Sequence, residues 1–507
     1  MTVQHLESVI ILGGGTAGWM TAAALGRNLA GGTKVTLVES PDIGTIGVGE
    51  ATVPSIRQFN AMLNINEGDF LKATKATLKL GIQFNDWRRL GHSYFHPFGV
   101  YGTTADLGQF HQAWLTLVQA GVFDPDGEDR LDAYSMCAFA ALQNKATIQD
   151  PNPASPYSRL NSAYHFDAGL YAAYMRRIAE AAGVVRVEGE VTEVARRGET
   201  GHVRSLTLKS GEVLTADLFV DCSGFRSLLL GQTLESPWRD WSHWLPMDRA
   251  WAMPCEHPPA AGRKPYTMSS ATEGGWMWQI PLQHRVGNGH VFCSAHMADD
   301  RAADILTKAV PGKPLADPRL IKFRTGRYDK TWDKNVVAIG LAGGFIEPLE
   351  STSIYFIQSA ITKLLSHFPD KSFSPANIDV FNQRMSDDYN VVRDVIIMHY
   401  HLTERDDAPL WNHVRTMDIP DSLKQRLDIF RERGMIINKA EETFYASSWL
   451  AIMVGQGPMP TGHSPLLDGP TKDGLRDMLR TMRHQIKTWI DPLPSQDELL
   501  RHHGLIQ

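Results

Sequence analysis

Ser8 to Glu39 reads SVIILGGGTAGWMTAAALGRNLAGGTKVTLVE. Ser8-Val-Ile-Ile-Leu12 is a short β-branched run that suits a strand, and glycines break it at once. Trp19 to Leu29 can then run as a helix, and Lys34 to Val38 forms a second strand ending in Glu39. A GxGxxG between strand and helix, with an acid about 20 residues on, is the dinucleotide fingerprint in its required setting. Gly13 permits the tight turn, Gly15 lets the backbone approach a pyrophosphate, and Gly18 lets helix and strand pack closely. Glu39 can accept the ribose hydroxyls. The pattern predicts an α/β nucleotide-binding core and leaves NAD and FAD both open.

Two later stretches fit the same sheet. Leu218-Phe-Val-Asp-Cys-Ser-Gly224 is a buried strand entering a turn, and Val336 to Ile339 is another, followed by Gly340 to Phe356, GLAGGFIEPLESTSIYF. A helical pattern starts near Ser351, because Ile354, Ile357, Ile361, Leu364 and Phe368 share one face. Its first turn offers unpaired N–H groups and the positive end of the helix dipole, a place for an anion. Glu350 stands immediately before that place; the plain alternative is that Glu350 and Ser351 only cap the helix. Gly44 to Pro54, GTIGVGEATVP, is irregular and glycine-rich, able to lie along an extended ligand or to be an ordinary loop.

Elsewhere the patterns are simpler. Ala76 to Trp87 alternates, with Leu78, Leu80, Ile82 and Phe84 on one side and Lys79 on the polar side, where by default it faces water. Phe95-His-Pro-Phe98 sets two aromatics around a histidine. Asp167 to Ala182 reads as an amphipathic helix, and Trp276-Met-Trp-Gln-Ile-Pro281 puts two tryptophans on one face of a strand. Beyond residue 356 the pattern is helical. The expected organisation is an α/β core over 1–355, with an excursion at about 88–160, and a helical module over 356–507.

With 507 residues, 43% of them hydrophobic, the chain can bury a large core. A net charge of -6 with mixed signs gives no reason to propose nucleic acid or a membrane surface as partner. The four cysteines are far apart, with no zinc spacing, and fit buried thiols in a reducing cytoplasm. No stretch approaches a membrane-spanning length, and the polar N-terminus does not read as a signal peptide. The 13 tryptophans favour a site for flat ligands.

In this order the pieces resemble the flavin-dependent tryptophan halogenases. The resemblance runs over essentially the whole chain, from GGGTAG through GVGEATVP, LKLGIQFNDW, YHFDAGLY, FVDCSGFR, WMWQIP and EPLESTS to DVIIMHYHLT and SWLAIMVGQG. WxWxIP beside the glycine fingerprint is the most specific signal, because flavin monooxygenases at large share only the fingerprint. The fold so implied is an FAD-binding, Rossmann-like core of the flavin monooxygenase type with a helical C-terminal substrate module.

The resemblance also implies a reaction. Reduced FAD, delivered by a separate NAD(P)H-dependent reductase, forms a flavin hydroperoxide that oxidises chloride or bromide to hypohalous acid; a lysine then activates the halogen for electrophilic attack on an aromatic ring. Carried over by position, the lysine is Lys79 and the assisting carboxylate Glu350, with halide on the N–H groups of Thr352 and Ser353. FAD would meet Gly13, Gly15, Thr16, Ala17, Gly18, Glu39, Gly49, Ala51, Val191, Leu341 and Ile354. Trp276 and Trp278, with Ile280 and Pro281 of the same motif, would line the flavin side and exclude organic substrate, and His96 and Phe98 would flank the arene. The chemistry agrees: an enclosed ammonium can polarise hypohalous acid, and a carboxylate can stabilise the cationic ring and take its proton.

There are two departures. Ser353 stands where many members have glycine, which leaves the backbone donor unchanged. Arg433 to Phe444 lacks the tyrosine pair that clamps a free amino acid in those members, so an indole or other electron-rich ring without that head is expected. A homodimer remains compatible. The alternatives are a flavin-dependent aromatic hydroxylase, which has no use for Lys79 and Glu350 together, and a non-catalytic flavin-binding protein.

Overall fold

The strand Ser8–Leu12 lies inside a six-stranded sheet, which runs Trp332–Asp333, Val336–Ala338, Leu218–Asp221, Ser8–Leu12, Lys34–Glu39, Val185–Glu188. All neighbours are parallel except the first pair. The central strands are apolar on both faces, as a parallel sheet covered by helices requires: Val9, Ile11, Leu37, Val38, Phe219 and Val220 are fully buried. A computed structural model describes residues 4–29, 31–40, 49–102, 107–258, 262–437, 439 and 442–506.

The chain forms two compact units, each made of three separate pieces. One comprises Met1–Ala76, Phe166–Pro246 and Phe323–Asn390; the other Thr77–His165, Met247–Lys322 and Val391–Gln507. The first, the nucleotide unit, holds the parallel sheet. The fingerprint helix Thr16–Asn28 covers it, packed on Ala168–Ala181 and on Ser353–Ser366. The Ala168–Ala181 helix starts one residue later than its sequence pattern, because Asp167 is its N-cap and accepts from Gly169 N and Leu170 N at 3.0 and 3.1 Å.

The second, the lysine unit, is built on a seven-stranded sheet. Its order is Arg319–Lys322, Arg249–Cys255, Val286–Phe292, Gly275–Pro281, Thr267–Ala271, Gly81–Asn85, Ser93–Pro97. Every pairing is antiparallel except Thr267–Ala271 with Gly81–Asn85. The later helices of this unit are Pro409–Thr416, Asp421–Arg433, Ala446–Gln456, Lys472–Ile490 and Gln496–His502. Compactness therefore groups the chain differently from a single division near 355: the helix Ser353–Ser366 goes with the parallel sheet it packs on.

The stretch Ala76 to Trp87 is not one half-buried strand. It is two short strands, Thr77–Lys79 and Gly81–Asn85, separated at Leu80, and Thr77 and Lys79 are as buried as their apolar neighbours. In Gly81–Asn85 the alternation holds, with Gln83 and Asn85 half-buried beside buried Ile82 and Phe84. In Thr77–Lys79 it marks the chemistry of each side but not its exposure, since the polar side is covered as well. All four cysteines are free and buried. Among the described residues no helix is long and apolar enough to cross a membrane.

Candidate functional site

In the nucleotide unit the glycine turn has the shape the fingerprint needs. Gly13 is at φ +118°, and a Cβ there would lie 2.3 Å from Cys222 O. A Cβ on Gly18 would lie 1.8 Å from Gly13 O, so helix and turn touch backbone to backbone. Above Gly15 the situation is reversed: a Cβ would meet nothing within 4 Å. Gly15 is the N-cap of the fingerprint helix and has no side chain to offer its first N–H groups, those of Thr16, Ala17 and Gly18. An open approach to an uncapped helix N-terminus is what a pyrophosphate uses.

Glu39 ends its strand across this turn, so close that a Cβ on Gly14 would fall 1.6 Å from its Oε2. Arg186 Nε donates to Glu39 Oε1, and Trp19 Nε1 to Oε2 at 3.3 Å. Each oxygen keeps a further lone pair for a ribose hydroxyl. The residues therefore fit the dinucleotide part of FAD. Gly340 is at φ +73°, where a Cβ would sit 3.0 Å from Ala17 Cβ; this close approach brings Leu341 beside the start of the fingerprint helix. Ile354 is buried in the first turn of Ser353–Ser366. Val191 belongs to a core cluster with Ile10, Leu12 and Val38.

Gly49 and Ala51 lie on the strand Gly49–Ala51, so the irregular stretch expected over Gly44 to Pro54 is strand at its centre; residues 44–48 lie outside the described residues. Between them, burial pushes the Glu50 carboxyl up to about 7.

The N-cap of Ser353–Ser366 is Thr352, not Glu350 or Ser351. Glu350 is wholly buried, in the turn Pro348–Glu350, and Ser351 follows it in the left-handed region at φ +60°. Thr352 is wholly buried too, and its Oγ1 finds no hydrogen-bond partner among the described residues. A buried hydroxyl costs about 1–3 kcal/mol when it lacks a partner. This one sits at a helix N-terminus with a proton to donate, and an anion would satisfy both.

In the lysine unit Lys79 is wholly buried, with Nζ 4.8 Å from the centroid of the Phe98 ring. Its default reading, a lysine in water, is overturned. From Phe98 an aromatic row continues: His96 lies 6.4 Å from Phe98, and Phe444 6.3 Å from His96. The close pairing of Gly81–Asn85 with Ser93–Pro97 sets this row, because only a glycine at 81 clears His96 O, 2.3 Å from where a Cβ would be.

Trp276 and Trp278 share a face of Gly275–Pro281, their rings 6.1 Å apart. Trp276 is buried and Trp278 half-buried, and Gly289 opposite Trp278 leaves the space its ring fills. Ile280 and Pro281 complete the strand, both buried.

A histidine and a threonine that sequence reasoning passed over tie these pieces together. Thr77 Oγ1 donates to Pro281 O at 2.6 Å, which uses its only proton. His165 Nδ1, 3.1 Å from that oxygen, must therefore be the donor, and His165 Nε2 accepts from Thr267 Oγ1 at 2.9 Å. Burial first, then the Lys79 charge, hold this imidazole well below its usual range, so it is neutral. His165 lies inside YHFDAGLY, but nothing in that string marks it as a neighbour of Lys79.

Comparison with known proteins adds the following. The family model described as Tryptophan halogenase matches residues 8–472. The tryptophan 6-halogenase ThaL of Streptomyces albogriseolus is 35% identical, over 99% of this chain and 99% of its own. The tryptophan 7-halogenase RebH of Lentzea aerocolonigenes is 32% identical, over 98% of this chain and 99% of its own. Among solved structures, BrvH, a flavin-dependent halogenase from Brevundimonas sp. BAL3, matches with a TM-score of 0.93 at 42% identity, covering 99% of each chain.

Proposed function

The chain belongs to the tryptophan halogenase family of flavin-dependent halogenases, and on that premise we propose a two-component enzyme that halogenates an electron-rich aromatic ring using reduced FAD, O2 and chloride or bromide. Bound reduced FAD supplies, with O2, the oxidising power that turns halide into hypohalous acid. Gly15, Thr16, Ala17 and Gly18 hold the pyrophosphate on backbone N–H groups at the turn that Gly13 permits, its own N–H being donated to Val38 O, and Glu39 takes a ribose hydroxyl. Gly49, Ala51, Val191, Leu341 and Ile354 provide the remaining flavin contacts. Thr352 Oγ1 and the N–H groups of Thr352 and Ser353 hold the halide, which needs donors without a competing acidic proton.

Lys79 donates a hydrogen bond to the oxygen of hypohalous acid, which draws electron density from the halogen and prepares it for attack by the ring. His96 and Phe98 flank that ring. Glu350, as carboxylate, stabilises the cationic ring and removes its proton. Trp276 and Trp278 keep organic substrate away from the oxidising centre. A separate flavin reductase in the same cytoplasm supplies the reduced cofactor.

The observation that carries this assignment is the fully buried Lys79 ammonium lying against the Phe98 ring. An aromatic face favours a desolvated cation, and the neutral His165 beside it adds no competing charge. An indole or similar ring without a charged head is the substrate we favour: Arg426 already engages Glu442, and Phe444 nearby is turned to the His96 ring.

The test is product mass after turnover with indole, with and without bromide. Bromide-dependent addition of bromine is expected, and halide-independent addition of oxygen would return the protein to the hydroxylases. Lys79→Met is expected to keep FAD binding and hypohalous acid formation while losing about 10³-fold in ring halogenation; Glu350→Gln is expected to lose about 10²-fold. Full ring halogenation by Lys79→Met would remove Lys79 from the mechanism.

A further inference from the structure

Lys79 ends a strand of only three residues, Thr77–Lys79. Along one edge this strand pairs antiparallel with the chain at Ala163 to His165, Thr77 opposite His165, Leu78 opposite Tyr164 and Lys79 opposite Ala163. In such a ladder alternate residues turn their N–H groups to opposite edges, and so short a pairing defines the backbone position weakly. The amides on either side of Lys79 are held from outside this ladder. Leu80 N donates to Pro265 O at 2.7 Å. Leu78 N donates to a side chain 418 positions away, Gln496 Oε1, at 2.9 Å.

Gln496 is wholly buried. Its Nε2 donates to Arg263 O at 3.0 Å and its backbone N donates to Asn144 O at 2.8 Å. The side-chain amide is thus satisfied at both ends. Turning it over would set its NH2 against Leu78 N–H and its oxygen against Arg263 O, so one orientation is strongly preferred. Gln496 is also the first residue of the helix Gln496–His502, whose start is fixed by a capping box between Ser495 and Glu498. Asp497 Oδ1 accepts from Arg263 N at 3.2 Å, which ties the same helix start to the same carbonyl-bearing residue.

We propose that Gln496 is a positioning residue for Lys79. It stands in for a missing strand partner and fixes the backbone on the N-terminal side of the lysine, so that the ammonium stays over Phe98. The proposal rests on the role given to Lys79 above. A loosened Lys79 would still be present and charged, but hypohalous acid would escape before meeting both the lysine and the ring. A displacement of about 1 Å can cost up to about 10²-fold in a positioned reaction.

The experiment uses the full-length protein with reduced FAD, O2, bromide and indole, with free methionine and catalase added. Methionine sulfoxide reports released hypobromous acid, and bromoindole reports the captured halogen. Gln496→Met fills the same space without the amide. It is expected to lower the bromoindole-to-sulfoxide ratio about tenfold, with FAD affinity unchanged. Gln496→Glu keeps an acceptor for Leu78 N–H and is expected to recover part of the ratio. Ser495→Ala weakens the helix start without touching Leu78, and is expected to lower the melting temperature at a native ratio. If Gln496→Met does not fold, Gln496→Asn, one methylene too short to span both partners, is read in its place.

A native ratio in Gln496→Met or Gln496→Asn overturns the proposal. So does an equal fall in Ser495→Ala, which would make the effect one of helix stability. Lys79→Met is run alongside: if it brominates indole like the native protein, the role of Lys79 is what has failed, whatever the Gln496 variants do.

Discussion

In the nucleotide unit the groups that would meet a ligand are mostly main-chain ones: the open turn at Gly15, the N–H groups after it, and those at Thr352 and Ser353. In the lysine unit they are side chains brought from far apart, with Lys79 at the end of Thr77–Lys79, Phe98 just after Ser93–Pro97, Phe444 on a later segment and His165 on the strand that pairs with Thr77–Lys79. The difference has a physical cause. A diphosphate is recognised by donors that every backbone carries, provided glycines let it approach. Steering a reactive halogen needs one ammonium in one place, and burying that charge takes partners from several segments.

Substitutions that separate backbone from side-chain function test the contrast most strongly. Gly18→Val puts carbon into Gly13 O and is expected to weaken FAD binding at least about 10²-fold, near 3 kcal/mol, in a flavin fluorescence titration. Lys79→Met is expected to leave the same titration within about twofold. If the two results were reversed, the contrast between the units would fail.

Acid separates the units in opposite senses. The folded lysine unit keeps His165 neutral, so below about pH 6.5 the unfolded chain takes up a proton that the folded one refuses. That contribution to stability is complete above pH 6.5 and is lost as pH falls, by up to about 1.4 kcal/mol per pH unit. Glu50 in the nucleotide unit acts the other way: its folded value of about 7 lies above the usual 4.5, so its folded state is most favoured below pH 4.5 and loses stability up to about pH 7. Denaturant titrations between pH 4.5 and 6.5 are expected to show a shallower acid loss in His165→Asn and a steeper one in Glu50→Gln. Parallel curves for both variants and the native protein would remove these two groups from the pH dependence.

A smaller effect, about 1 kcal/mol, is expected at the anion site. Thr352→Val replaces a buried unpartnered hydroxyl by a methyl group of the same shape. If the hydroxyl holds halide, the bromide KM rises several-fold while FAD affinity is unchanged. If it only sits unsatisfied, the variant gains stability and the KM stays where it was.

The contrast also governs what the sequence reveals. The fingerprint from Gly13 to Glu39 and the turn before Thr352 are local, so residue type and spacing alone locate them, and the parallel sheet follows from the strands that flank them. Lys79 is different: alternation marks it as the polar member of a strand, and nothing local says that its side is covered. His165 and Gln496 touch the lysine strand across 88 and 418 positions of sequence, at residue types common in any core, and no spacing rule reaches them. Glu350 lies between the two cases. Its place before a helix is legible, but its complete burial depends on what packs over the turn.

The four buried cysteines have a bearing on how long such a catalyst survives its own product. Hypohalous acid that leaks out attacks sulfur first, and a thiolate is the most vulnerable form. Here burial hides all four thiols and keeps two of them firmly protonated, with Cys137 pushed up to about 12 and Cys222 higher still. The sulfur left facing solvent is thioether: Met435 is 53% and Met478 45% exposed. Ageing during turnover is therefore expected to appear as sulfoxide at these two methionines before any cysteine is oxidised, visible by peptide mass mapping. Because that lesson is written in a repairable oxidation state, a sulfoxide reductase could restore a worn preparation where damage to a thiol would end it.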